Sequence, residues 1–163
     1  MPFAVIGAAA MAAHGVSRST GDLDLLTVSA ECLAHDFWAG LVDRGVQVDV
    51  RFGDANDPLR GVVRFAARGS SPIDLVVGKS AWQSRILEDA CDVDIEGVSV
   101  PVASRVDLIL LKLFAGGPQD AWDIAQLLDG PDRDVLSGEV ERSLDALPSS
   151  CRDIWSRLHT GRS

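Results

Sequence analysis

Two spacings of apolar residues follow one another along the chain, and the change from one to the other divides it. Up to residue 103 the apolar runs are short and many alternate with polar residues, the strand period. Residues 3–6 predict a buried strand, Gly7 a sharp turn, and residues 8–14, rich in alanine, a helix closed by Gly15. Residues 22–28 alternate aspartate with leucine and predict a second strand. Ser29 caps a helix expected to run to about Arg44, with Ala30, Leu33, Phe37, Leu41 and Val42 on one face. Residues 46–52 read as a half-buried strand, with Val46, Val48, Val50 and Phe52 on one side and Gln47, Asp49 and Arg51 on the other. A turn-rich segment, 53–60, leads to strands at 61–68 and 73–77, which Ser70-Ser71-Pro72 separates. Residues 80–90 predict a helix and 93–102 a hairpin turning at Glu96-Gly97.

From Ser104 onward the period becomes helical. Ser104 caps a helix with Asp107 at the capping-box position, and Leu108 through Phe114 are apolar except Lys112. Gly116-Gly117-Pro118 ends it and starts another, 119–128, and further helices are expected at about 132–146 and 149–159. Strands mixed with helices, then a helical third, read as an α+β fold: a core over 1–103 and a C-terminal helical part, 104–163, packed on it.

Composition narrows the classes. The chain has 163 residues, 47% of them hydrophobic, and 24 Asp and Glu against 15 Lys and Arg, for a net charge of −9. That sign argues against broad nonspecific binding to nucleic acid, although a local basic patch could hold an RNA. Cys32, Cys91 and Cys151 are odd in number and far apart, which indicates neither a disulfide framework nor a zinc site and suits a reducing cytoplasm. The apolar start lacks a basic leader region, and no run is long enough to span a membrane.

Candidate chemistry concentrates in residues 5–28. Asp22 and Asp24, two apart on a strand, leave the same face, and two like charges there need a cation between them, for which a divalent metal is the simplest choice. Asp74 interrupts an apolar strand and needs a partner. Asp49, flanked by valines, is the runner-up. Lys112 can be read as a side chain snorkelling from a core helix, Asp120 and Asp123 as acids at a helix N-terminus, and His14 as a packed helix-end residue.

The stretch Gly7-Ala8-Ala9-Ala10, His14-Gly15, then Arg18-Ser19-Thr20-Gly21-Asp22-Leu23-Asp24 resembles the DNA polymerase β-like nucleotidyltransferase superfamily, and within it the AbiEii-type toxin nucleotidyltransferases. A second block, Lys112 and then Gln119-Asp120-Ala121-Trp122-Asp123-Ile124, is similar to that family's Lys-bearing helix and Lys-Asp-x-x-Asp-Ile. The resemblance implies a nucleotidyltransferase-like mixed β-sheet with flanking helices. It implies transfer of NMP from an NTP to a hydroxyl of an RNA such as tRNA, a protein or a small molecule, by a toxin paired with an antitoxin protein. Two Mg²⁺ ions would be held by Asp22, Asp24 and Asp74, with Asp74 also the base for the acceptor hydroxyl. Gly7, Ala8, Arg18, Thr20, Lys112 and Asp120 would form the nucleotide-binding set.

The chain departs from the pattern at Ala8, where the family has Gly or Ser, and at Gln119, where it has Lys. Those departures favour the alternative, a catalytically silent nucleotide-binding or protein-interaction module of the same fold.

Overall fold

Among the described residues seven strands form one mixed sheet: β1 (Ala4–Ile6), β2 (Leu23–Thr27), β3 (Gln47–Phe52), β4 (Leu59–Ala66), β5 (Ile73–Gly78), β6 (Cys91–Ile95) and β7 (Val98–Val102). Their spatial order is β3-β4-β5-β2-β1-β7-β6, so β3 and β6 are the edges. The central strands, β2 and β5, run parallel, with Asp24 opposite Asp74 and Leu25 opposite Leu75. β4 pairs antiparallel with both β5 and β3, while β1 runs antiparallel to β2 and parallel to β7. This computed structural model describes residues 1–17, 21–95 and 97–160. The chain divides into two compact units, Met1–Ala103 and Ser104–Ser163, and the sheet belongs to the first.

One face of the sheet is apolar because every second strand residue is. Val63, Leu75 and Val77 are buried there with Cys32 and Leu33, and Leu25, Val48, Val50, Phe65 and Trp38 pack around them. The residues between these positions, among them Asp24, Arg64 and Asp74, belong to the other face by the pleat of the strands. Phe52 departs from the expected pattern: it ends edge strand β3 and is 71% exposed rather than inward. The hairpin β6–β7 forms, although Glu96 of its expected turn lies outside the described residues.

Helix α1 (Gly7–Ala13) leaves β1 directly and buries Ala8, Ala10 and Met11. It ends as expected, with Gly15 at φ 82° and Val16 N donating to Met11 O. His14 Nε2 lies 2.8 Å from Ala103 O, which makes this side chain a tie between α1 and the end of β7.

The helix expected from Ser29 to Arg44 does not form as one piece. It is two 3-10 turns, Ala30–Leu33 and His35–Trp38, followed by the short helix α2 (Ala39–Val42). Ala34, extended at ψ 124°, breaks the run. The Cys32 carbonyl accepts from Trp38 Nε1 at 2.7 Å, which anchors the indole beside Phe65, ring centroids 4.7 Å apart. Burying Cys32, Leu33 and Trp38 on the sheet outweighs the helical pattern, and Phe37 and Val42 are left exposed. Helix α3 (Ala81–Asp89) follows β5, its Gln83 Oε1 accepting from Lys79 N and Ser80 N at 2.9 Å each.

The second unit contains α4 (Arg105–Ala115), α5 (Pro118–Leu127), α6 (Arg133–Ser143) and α7 (Ser149–Thr160). Ser104 caps α4 by accepting from Asp107 N and donating to Asp107 Oδ2 at 2.6 Å. Gly116 ends α4 in the left-handed conformation, φ 64°, and Pro118 opens α5. Its buried side chains include Leu108, Ile109, Leu113, Ile124, Leu127 and Trp155. The expected helix at 132–146 is α6 with a 3-10 turn, Leu144–Ala146, at its end. Among the described residues no helix is long and apolar enough to cross a membrane.

Candidate functional site

The pairing registers draw one row of charged residues across four strands. Asp24 on β2 faces Asp74 on β5, Asp74 faces Arg64 on β4, and Arg64 faces Asp49 on β3. All belong to the face opposite the apolar cluster, because their strand neighbours Leu25, Leu75, Val63, Phe65, Val48 and Val50 supply that cluster. Asp22, just before β2, joins the row through Arg64.

Arg64 is the cation the sequence reading did not assign. Its Nη1 donates to Asp74 Oδ2 at 2.8 Å and its Nη2 to Asp22 Oδ2 at 3.0 Å, so one guanidinium bridges two of the three expected carboxylates. The hydrogen bond with Asp22, with the charges of Asp74, Asp22 and Asp24, holds the guanidinium above its ordinary value. The second Asp74 oxygen, Oδ1, is buried and has no hydrogen-bond partner among the described residues. Asp49, the alternative third carboxylate, pairs with Arg51 at 2.9 Å on the exposed edge strand.

Gly7 meets this row from above β1. Its φ is 64°, and a β-carbon built on it would overlap Asp24 Oδ2 and lie 3.0 Å from Asp24 Cβ and Cγ. Only a residue without a side chain lets the first turn of α1 pass so close to that carboxylate. Ala8, next in α1, is buried. Arg18 and Thr20, expected to touch a nucleotide, lie outside the described residues.

Among the described residues no group of three or more His, Cys, Asp or Glu side chains is gathered as a ready metal cage. What exists is a pair in register, Asp24 and Asp74, with Asp74 Oδ1 buried and without a hydrogen-bond partner among the described residues. Two hard oxygen donors from adjacent strands and one unsatisfied buried carboxylate oxygen fit a divalent cation. Arg64 holds Asp22 Oδ2 and Asp74 Oδ2.

The remaining candidates come together in the second unit. Lys112 Nζ lies 2.6 Å from Asp123 Oδ2 and 3.0 Å from Asp120 Oδ1, and Asp120 Oδ2 accepts from Gly117 N at 2.8 Å. Asp123 is fully buried, so its charge requires the lysine, and the triad ties α4 to the first turns of α5. Lys112, Gly117, Asp120, Ile154 and Arg157 line a small cavity of about 230 Å³ there. In the first unit an apolar cavity of about 390 Å³, lined by Phe3, Leu25, Trp38, Phe65 and Leu75, lies on the sheet face away from the aspartates.

The sequence matches no protein-family model and no curated protein. Solved structures do match. The solution structure of the antibiotic-resistance factor ANT(2'')-Ia superposes with a TM-score of 0.54 at 16% identity, covering 89% of this chain and 84% of that one. A Thermotoga maritima protein classed as a nucleotidyltransferase gives 0.54 at 17% identity, covering 78% of this chain and 82% of its own. The crystal structure of ANT(2'')-Ia with adenylyl-2''-tobramycin gives 0.50 at 16% identity, covering 99% and 89%. The chain therefore has the nucleotidyltransferase fold, and the expected α+β class with a mixed sheet and a helical C-terminal part is found.

Proposed function

We propose that this chain transfers NMP from an NTP to a hydroxyl acceptor, and that the row Asp22, Asp24, Asp74 and Arg64 is its reaction centre. The observation that carries the reading is the register that sets Asp24 directly opposite Asp74 on parallel strands, beside a glycine turn that admits nothing bulkier. In such a transfer the acceptor oxygen bonds to the α-phosphorus, the bond from that phosphorus to the bridging oxygen breaks, and pyrophosphate leaves. Mg²⁺, as two ions, would supply charge neutralisation at the attacking and departing oxygens when bound. Asp24 and Asp74 would hold it, with Asp22 joining once released from Arg64. The proton of the acceptor hydroxyl goes to the Asp74 carboxylate, the base that the sequence likeness suggests. The backbone at Gly7 and Ala8, with Arg18 and Thr20, is the proposed triphosphate contact.

The acceptor classes are an RNA, a protein or a small molecule. ANT(2'')-Ia, solved with adenylyl-2''-tobramycin, is an example of the small-molecule class on this fold. A toxin role opposed by an antitoxin protein rests on the AbiEii-type sequence likeness. One observation favours the silent module instead: Arg64 is already ion-paired with two of the carboxylates. Incubation of the chain with labelled NTPs, Mg²⁺ and pooled RNA, protein or aminoglycoside acceptors decides between them. Transfer by the wild type that Asp24→Asn abolishes supports the enzyme, and no transfer to any acceptor class with no Mg²⁺-dependent NTP binding sinks it.

A further inference from the structure

We infer that Arg64 is a built-in stand-in for the metal: its guanidinium holds Asp22 and Asp74 together without a divalent cation and must leave them when one binds. This rests on the metal-assisted reading of the site. The position of Arg64 is fixed by the sheet, since Val63 and Phe65 on either side of it are packed into the apolar face and the β4–β5 register sets it opposite Asp74. A strand residue so placed cannot drift away from the carboxylates by a change of backbone. Its two terminal nitrogens go to two different aspartates, 2.8 and 3.0 Å away, which spans the gap between them instead of gripping one.

Without a cation, Asp22, Asp24 and Asp74 would repel one another across neighbouring positions. Arg64 brings one positive charge to the two carboxylates that it bridges, Asp22 and Asp74. The sign that it is an incomplete occupant is Asp74 Oδ1, buried and still without a hydrogen bond among the described residues. The bridge is also reversible, because Arg64 and Asp22 side chains are 40% and 38% exposed, so water and ions can reach both. A divalent cation brings twice the charge and more coordination sites, and it competes for the Asp22 and Asp74 oxygens that Arg64 holds.

The test uses Mn²⁺ alone, counted by the electron paramagnetic resonance signal of the unbound ion, on the full chain. Arg64→Met is expected to bind Mn²⁺ about tenfold more tightly than the wild type, because a competing like charge is removed. Without Mn²⁺ it should melt below the wild type, and saturating Mn²⁺ should close the difference. Adding Asp24→Asn to Arg64→Met should remove the gain. Arg64→Lys serves if the methionine variant does not fold: an ammonium cannot fork between two carboxylates, so its Mn²⁺ affinity should also exceed that of the wild type. In the variant that folds, Mn²⁺ binding no tighter than in the wild type, including none in either protein, overturns the inference. Nucleotidyl transfer is read separately, so a chain that transfers NMP while Arg64→Met gains no affinity refutes only the role of Arg64. A chain that shows the gain without any transfer refutes only the enzyme.

Discussion

The Asp24 carboxylate occupies the space that a side chain on Gly7 would need. That places a backbone turn and a carboxylate in direct contact, with the turn itself in the left-handed region at φ 64°. Gly7→Ala should therefore cost about 1–2 kcal/mol for the backbone conformation alone, with a further loss from moving Asp24. Urea denaturation measures the first effect. Mn²⁺ affinity measures the second and should fall with Asp24 displaced; unchanged binding would mean that Asp24 is not a ligand.

The Lys112–Asp123 pair makes a prediction about stability. Asp123→Ala leaves the lysine without its buried partner and should destabilise the protein by about 3–5 kcal/mol, whereas replacing the pair together with Met and Leu should restore most of that. If the double variant is stable and still binds NTP with wild-type affinity, Lys112 acts by holding α4 to α5. If it is stable but binds NTP more weakly, the resemblance-based role of Lys112 as a nucleotide contact stands.

Asp24→Asn and Asp74→Asn should each reduce transfer by at least about a thousandfold, since each removes a charge from the centre that stabilises the transferring phosphoryl group. Asp49→Asn should leave the rate near that of the wild type, because Asp49 is on the exposed edge strand and paired with Arg51. A rate lost with Asp49 and kept without Asp74 would exchange their roles.

Much of this was legible from residue order. The strand carrying Asp24, which begins one residue after Asp22 and not at it, the strand carrying Asp74, and the change to helices at Ser104 all follow from period and capping residues. Arg64 was legible in principle. It is a cation set between apolar Val63 and Phe65 in one strand, as Asp74 is the one anion between Ile73 and Leu75 in the next, and opposite charges so placed in consecutive strands signal a cross-strand pair. The segment after Ser29 was not legible, because its helical spacing is real and yields only to the burial of Trp38 and Leu33 on a sheet face that no local pattern reveals. Phe52 misled for a related reason: alternation gives the side of a strand but not whether anything covers its end.

The cysteines give a pH prediction. Burial pushes the Cys32 and Cys151 thiols up, and both are free, as is exposed Cys91. A thiol-specific reagent should label Cys91 at once and the other two only as fast as the chain opens. Below the ordinary thiol value of 9.0 both folded and unfolded chains keep these thiols protonated. As pH rises past it, the unfolded thiols ionise first, so stability falls until the raised folded values are passed. Replacing both with alanine should flatten that alkaline decline in melting temperature; an unchanged slope would assign it to other groups.

The two edges of the sheet have a consequence for self-association. A strand with no outer neighbour offers its backbone to any other strand, and charged side chains are the usual deterrent. Here β6 alternates exposed Asp92 and Asp94 with Val93 and Ile95, and β3 carries Asp49 and Arg51. On β6 both charges have one sign, so a second copy approaching that edge meets repulsion at both positions. The same acidity that marks the chain as a whole thus opposes the addition of an eighth strand from a second copy at this edge.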